Sequence, residues 1–325
     1  MSQEKVAVVT GSNKGIGFAI VEGLCKRFDG VIYLTSRDED KGKAAAAKLK
    51  KRDSDNPHFH QLDVSDKESV IRFRDFIKQK HGGIDILINN AGVVAPLNNN
   101  YENCKTVIDI NYGGILNAQE YLFPLLRDNA RVLNISSNCG HLSNLRNMDW
   151  IKRLSKKDLS KTDIDDFVNW FLESVKKGTF KRSDFADGGT IPSYRVSKVA
   201  LSALTMVQQK ELEPRGISVN SIHPGLVSTD MTMHIGFLTP DEAAETPVDL
   251  VLDAPPSLKG KYIWYNGEIV DWFDYKSDRY FKVTSVGKQF LKDVLRLPAE
   301  MFFSPAMWVG VLTMILIIVI TKIFE

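Results

Sequence analysis

The chain has 325 residues, 43% hydrophobic and 25% charged, with a formal net charge of +2. That length suits one large α/β domain or two smaller ones, and the near-neutral balance gives no reason to expect nucleic acid or an acidic partner. Three cysteines, Cys25, Cys104 and Cys139, lack metal-type spacing and are too few for a disulfide framework, which points to a reducing compartment.

An apolar strand begins at Val6, leaving no room for a signal peptide. Short β-rich runs then alternate with helical patterns, as in a parallel sheet covered on both faces. Strands are expected at residues 6–10, 31–35, 58–62, 84–89, 131–135, 216–223 and 261–264. This order predicts a doubly wound, Rossmann-type α/β fold with ligands at the carboxyl ends of the strands.

After the first strand comes Thr10-Gly11-Ser12-Asn13-Lys14-Gly15-Ile16-Gly17, a turn in which glycines let backbone approach a pyrophosphate at a helix N-terminus. Tight packing alone would also use such glycines, but the position favours nucleotide binding. Arg37 ends the second strand, where a carboxylate would select NAD and a cation suits the 2′-phosphate of NADPH. With Lys14 it favours NADPH, provided that Asp38, Glu39 and Asp40 face solvent as charges opening a helix. Asp63 ends the third strand, as an acceptor for the adenine amine or as a helix cap.

Ser65-Asp66-Lys67-Glu68 reads as a capping box for a helix whose apolar side holds Val70, Phe73 and Ile77. Asn89-Asn90-Ala91-Gly92 ends the fourth strand, to tie strand ends or line the cofactor. Asn111 lies in a helical pattern, where a buried amide costs stability unless its partners are satisfied. Ser136-Ser137 ends the fifth strand with no G-x-S-x-G elbow around Ser137, against a hydrolase.

Over fifty residues separate Ser137 from Tyr194. Ile164, Phe167, Val168 and Phe171 follow helical spacing behind a Thr162 cap, so residues 140–190 are expected to form a helical insertion. Tyr194-Arg195-Val196-Ser197-Lys198 follows on a helix expected over residues 194–213, where positions four apart share a face. A cation beside a phenol, whose pKa is ordinarily about 10, would lower it toward neutrality and ready it for proton transfer. His223 before Pro224-Gly225 is read as structural, and the six histidines show no metal spacing, so no metal is expected. Thr239-Pro240 starts a further helix.

Residues 276–300 are mixed and amphipathic, a linker or surface helix. Residues 301–321 carry no charge and as a helix would be about 31 Å long, the thickness of a hydrocarbon core. Lys288, Lys292 and Arg296 precede them and favour the upstream side in the cytosol, with four residues beyond. The expectation is a reductase domain over residues 1–275, the linker, and a single-pass tail anchor at 301–321, in the endoplasmic reticulum or another organelle.

In this order the motifs resemble the short-chain dehydrogenase/reductase family over roughly residues 5–266, and within it the monomeric NADPH-dependent carbonyl reductases. The runs Thr-Gly-Ser-Asn-Lys-Gly-Ile-Gly at 10–17, Asn-Ile-Ser-Ser at 134–137 and Pro-Gly-Leu-Val-Ser-Thr-Asp-Met at 224–231 carry it. The resemblance implies a catalytic tetrad of Asn111, Ser137, Tyr194 and Lys198. Implied cofactor contacts come from the glycine turn (Gly11, Asn13, Lys14, Gly15, Ile16, Gly17), Arg37, Asp63, Val64, Asn90, Tyr194, Lys198 and Thr229. It also implies a monomeric globular part, because the insertion covers the surface other members use to dimerise. The loop at residues 93–101 is Asn-rich and short, so substrate preference does not carry over. The expected activity is reduction of a ketone, aldehyde or quinone by NADPH. Two alternatives stand beside it: a lipid dehydrogenase meeting membrane-dissolved substrate, and an inactive NADPH-binding membrane adaptor, against which the intact tetrad argues.

Overall fold

The apolar runs Val6–Val9 and Val31–Ser36 fold as strands buried on both faces, while the amphipathic stretches between the strands lay one side on the sheet. The computed structural model describes residues 4–50, 57–94 and 100–277. In chain order these form β1 (Val6–Val9), α1 (Gly15–Arg27), β2 (Val31–Ser36), α2 (Glu39–Lys50), β3 (His58–Gln61), α3 (Lys67–His81) and β4 (Ile84–Asn89). After α4 (Tyr101–Ile108) a π turn (Asp109–Gly113) leads into α5 (Gly114–Tyr121) and β5 (Leu126–Ile135). The insertion contributes α6 (Met148–Leu154) and α7 (Lys161–Lys176). Then follow α8 (Pro192–Leu212), β6 (Ser218–Ile222), α9 (Pro240–Leu252), β7 (Tyr262–Ile263) and β8 (Ile269–Val270).

The strands form one sheet in the order β3-β2-β1-β4-β5-β6-β7-β8, with the reversal between β1 and β4 that a doubly wound fold requires. Every pairing is parallel except β7 with β8, where Tyr262 lies opposite Val270. The expected Rossmann-type fold is therefore present, with one strand, β8, added by a closing hairpin. In the centre of the sheet Asn89 Nδ2 donates to Asn134 Oδ1 at 2.8 Å. Asn134 Nδ2 in turn donates to Thr205 Oγ1 at 3.0 Å and Gln208 Oε1 at 3.1 Å, tying β4 and β5 to α8.

The insertion packs on the domain as expected. Ile164, Phe167, Val168 and Phe171 are buried with Cys104 and Ile108 of α4 and with Val196, Val199 and Leu204 of α8. The Tyr112 hydroxyl reaches across to Asp165 at 2.8 Å.

Two helix starts differ from expectation. The cap of α7 is Ser160, not Thr162: Ser160 and Asp163 form a reciprocal capping box, which a serine three positions before an aspartate can close. Helix α3 is capped by Asp66, whose side chain accepts from Glu68 N at 3.0 Å, while the Ser65 hydroxyl donates to Asp63 Oδ1 at 2.6 Å. The expected Ser65–Glu68 box is thus not formed. Thr239 and Glu242 do form the box that opens α9. Among the described residues no helix is long and apolar enough to cross a membrane; the expected anchor at 301–321 and all but the first two residues of the linker lie outside them.

Candidate active site

Strand ends in a parallel sheet expose main-chain groups that nearby loops must satisfy, and here β1, β4, β5 and β6 bring their carboxyl ends together. At β1 the turn is pinned by the Ser12 hydroxyl, which donates to Val9 O at 2.8 Å and accepts from Thr35 N at 3.0 Å. Gly11 has φ +60°, and a Cβ there would lie 2.8 Å from Ala91 Cα. A Cβ on Gly17 would lie 2.3 Å from Asn90 Nδ2. These glycines are required for packing as well as for access. Helix α1 starts behind Lys14 with no side-chain cap and no acidic residue in its first turn. Its first N–H groups thus have no capping side chain of their own helix, so the turn fits a pyrophosphate.

The remaining nucleotide-side residues surround that turn. Asn90 Nδ2 donates to Thr10 O (3.0 Å) and Gly11 O (2.9 Å), so it ties the strand ends together. Arg37 is exposed at the end of β2. Asp63 uses Oδ1 to accept from Ser65 N as well as from the Ser65 hydroxyl. Val64 is buried against Gly114, and its carbonyl accepts from Asn117 Nδ2 at 2.8 Å. Lys14 reaches across the turn to Asp230 at 2.6 Å, beside Thr229, whose methyl lies 3.5 Å from where a Gly15 Cβ would be. Asn13 and Ile16 complete the turn between these points.

Deeper in the cleft, α8 carries Tyr194 and Lys198 on one face, with the ammonium 5.7 Å from the centroid of the phenol ring. Lys198 Nζ donates to Ile135 O at 2.7 Å, which fixes it at the end of β5. Ser137 follows two residues later, close enough to Tyr194 for its hydroxyl to act on the phenol. Asn111 is fully buried in the π turn, a wider turn often found at functional sites. Its Oδ1 accepts from Val93 N at 2.8 Å, and its Nδ2 donates to Val93 O at 2.9 Å and Ser197 Oγ at 3.0 Å. A Cβ on Gly92 would lie 3.3 Å from Asn111 Oδ1 and 3.6 Å from Lys198 Nζ, which with the Lys198–Tyr194 and Ser137–Tyr194 contacts brings the four residues into one place.

The electrostatics correct one expectation. Burial, with the Cys139 sulfur nearby, pushes the Tyr194 phenol above its ordinary value, and Ser137 only partly opposes this. Burial also brings Lys198 down to about 8. Desolvation dominates the phenol, so Tyr194 is not poised near neutrality but keeps its proton. A protonated phenol beside a cation and a hydroxyl can donate a proton to an oxygen that gains charge. His223 lies just behind this cluster; burial takes it down to about 3, its Nδ1 has no hydrogen-bond partner, and its ring packs on Trp264 at 4.3 Å.

Some residues of the site carried no sequence signal. Arg195, next to Tyr194, donates to Asn144 Oδ1 and, through Nε, to Thr190 O at 2.8 Å, holding α8 to the loop after Ser137. Ile191, at the start of α8, adopts the left-handed region with φ 44°, a strained state for a β-branched residue. A separate groove of about 1130 Å³ runs from Arg37 and Ser65 past Asp109 and Asn117 to Lys161 and Arg215. Only its Arg37 end belongs to the site; the chemistry-bearing groups lie elsewhere.

Comparison with known proteins places the chain in a family. The profile described as short chain dehydrogenase matches residues 5–148 and 185–236, leaving out most of the insertion. NADPH carbonyl reductase 3 of Mus musculus is 36% identical over 267 residues, covering 79% of this chain and 94% of that protein. NADPH carbonyl reductase 1 of the same organism is 34% identical over 270 residues, covering 80% and 95%. Among solved structures, salutaridine reductase from Papaver somniferum superposes with a TM-score of 0.72 at 33% identity, covering 81% of this chain and 99% of that one. Menthone neomenthol reductase from Mentha piperita gives 0.70 at 29% identity with the same coverage.

Proposed function

The chain belongs to the short chain dehydrogenase family and is an NADPH-dependent oxidoreductase, and from that premise we propose that it reduces ketones, aldehydes or quinones to alcohols. The single observation that carries this reading is the meeting of Tyr194, Lys198, Ser137 and Asn111 beside a glycine turn shaped for a dinucleotide. NADPH, when bound, supplies the hydride that the carbonyl carbon accepts. The turn at residues 11–17 and Thr229 would hold its pyrophosphate, Arg37 and Lys14 its 2′-phosphate, and Asp63 and Val64 its adenine end.

Tyr194 gives its proton to the carbonyl oxygen, for which its raised pKa keeps it in the required state. Lys198, held on Ile135 O, supplies the positive charge that stabilises the phenolate left behind. Ser137 donates a hydrogen bond to the developing oxyanion, a contact worth about 3 kcal/mol in other enzymes. Asn111 fixes the Gly92–Val93 backbone beside Lys198. Because its amide is committed to Val93 and Ser197, a water relaying protons to Lys198 would use the second lone pair of Oδ1. The packing of α7 over α4 and α8 supports a monomeric globular part, with reductase domain bounds near 1–275.

The uncharged stretch at 301–321 supports insertion into a bilayer with the reductase domain in the cytosol. It also keeps a second substrate class in view, lipid carbonyls dissolved in that bilayer. A panel of water-soluble and lipid carbonyls, followed by NADPH and NADH absorbance with the purified chain, tests the reaction. Turnover should appear with NADPH on part of the panel; inactivity on all of it favours a membrane adaptor. Extraction of membranes at alkaline pH tests the anchor, which is wrong if the protein washes off.

A further inference from the structure

The loop that carries Ser137 is gripped from an unexpected quarter, the closing hairpin and the strand of chain that follows it. The Tyr262 hydroxyl donates to Ser137 O at 2.5 Å. Trp272 Nε1 donates to Gly140 O at 2.7 Å. His141 is fully buried; its Nδ1 faces both Ser143 Oγ (2.7 Å) and Ser143 N (3.3 Å), and a backbone N–H can only donate. Nδ1 is therefore the acceptor and Nε2 carries the proton, which it donates to Asp271 O at 2.8 Å. Burial holds this imidazole below its ordinary pKa and so in the neutral form that the pattern needs.

These bonds clamp both ends of the 3₁₀ turn Asn138–Gly140 that begins at Ser137. The other side of the turn has no slack: a Cβ on Gly140 would lie 2.2 Å from Ser136 Oγ and 2.8 Å from Lys198 O. Tyr262 and Trp272 are 3% and 4% exposed, so their donors have no water as an alternative partner. Ser137 Oγ meanwhile accepts from Cys139 N at 3.2 Å, inside the clamped turn, so a shift of the turn moves the hydroxyl.

We propose that Tyr262 and Trp272 are positioning residues that set the aim of the Ser137 hydroxyl, with His141 locking the same loop to Asp271. The inference rests on the role given to Ser137 above. It also means that the segment leading out of the domain toward residue 278 is wired to the catalytic loop.

The test is a double-mutant cycle on the purified full-length chain: Tyr262→Phe and Trp272→Phe, each alone and each combined with Ser137→Ala. Each single substitution should lower kcat about tenfold while leaving KM for NADPH within about twofold; on Ser137→Ala each should cost less than about twofold, because the group being aimed is already gone. An undiminished loss on the Ser137→Ala background, or unchanged kcat in both single variants, overturns the proposal. If Ser137→Ala alone leaves kcat intact, the role of Ser137 itself fails. Should Trp272→Phe not fold, Tyr262→Phe, which removes one oxygen, decides the matter alone.

Discussion

Lys14 and Lys198 stand at opposite ends of one cleft, and the chain treats them in opposite ways. Lys14 has a side chain 67% exposed and meets Asp230 through solvent-facing charge; Lys198 is 4% exposed and is fixed on a buried main-chain carbonyl. In the proposed reaction the outer end would recognise phosphate with exposed, screened charges, each of small effect. The inner end, to which the proposal assigns proton transfer, holds desolvated groups whose positions and pKa values are set by packing, where each change has a large effect.

The sharpest way to break this contrast is at Tyr194. Tyr194→Phe should lower reductase turnover about 10³-fold while NADPH affinity, read by fluorescence titration, stays the same. Substantial turnover would remove Tyr194 from the acid role. The next effect is on folding. His223 falls from 6.5 to about 3 in the fold, so between those pH values the unfolded chain binds a proton that the folded chain refuses. Stability from this group is whole above about 6.5 and is lost as pH falls toward 3. His223→Leu should flatten the acid decline of the unfolding free energy from urea titrations by an amount on the order of 2–3 kcal/mol at pH 4.5. Parallel curves for the two proteins would show that His223 is not the acid-sensitive group.

At the outer end, Arg37→Asp should raise KM for NADPH by about tenfold or more and KM for NADH by far less. Equal effects would detach Arg37 from the 2′-phosphate. Lys198 loses its charge as pH rises through about 8, so kcat for reduction should fall about tenfold per pH unit above that point. A flat profile to pH 10 would place the cation elsewhere. The smallest effect belongs to Asp230→Asn, which frees Lys14 for phosphate and should lower KM for NADPH about twofold at low ionic strength, vanishing in high salt. A rise in KM would instead show that Asp230 holds Lys14 in place for the cofactor.

The sheet and the juxtaposition of Tyr194 and Lys198 were readable in the sequence because both have local signatures. β-rich runs mark strands, and the spacing from Tyr194 to Lys198 puts both on one helix face. What the sequence could not carry depends on tertiary distance. The strand Ile269–Val270 has only two residues and no pattern of its own. Trp272 Nε1 finds Gly140 O across 132 positions of chain, which no local rule reaches. The sign of the Tyr194 shift was misread for the same reason: spacing shows that a cation is near but not how dry the phenol is. Ser160 displaced Thr162 as a cap because the capping box needs a reciprocal partner, and Asp163 stands at the right offset only from Ser160.

The line of polar side chains through the middle of the sheet, Asn89 to Asn134 to Thr205 and Gln208, bears on how the chain finds its alignment. Apolar neighbours on β4 and β5 would tolerate sliding past one another, since one Val or Ile fits about as well as the next. A slip of one residue turns Asn89 to the opposite face of the sheet and strands both amides among aliphatic side chains, at about 1–3 kcal/mol for each unsatisfied group. Only one alignment satisfies all four side chains at once. An apolar residue at position 134 would leave Asn89 Nδ2 and Gln208 Oε1 without these partners even in the correct alignment, so the polar line discriminates between alignments only while all of its members are present.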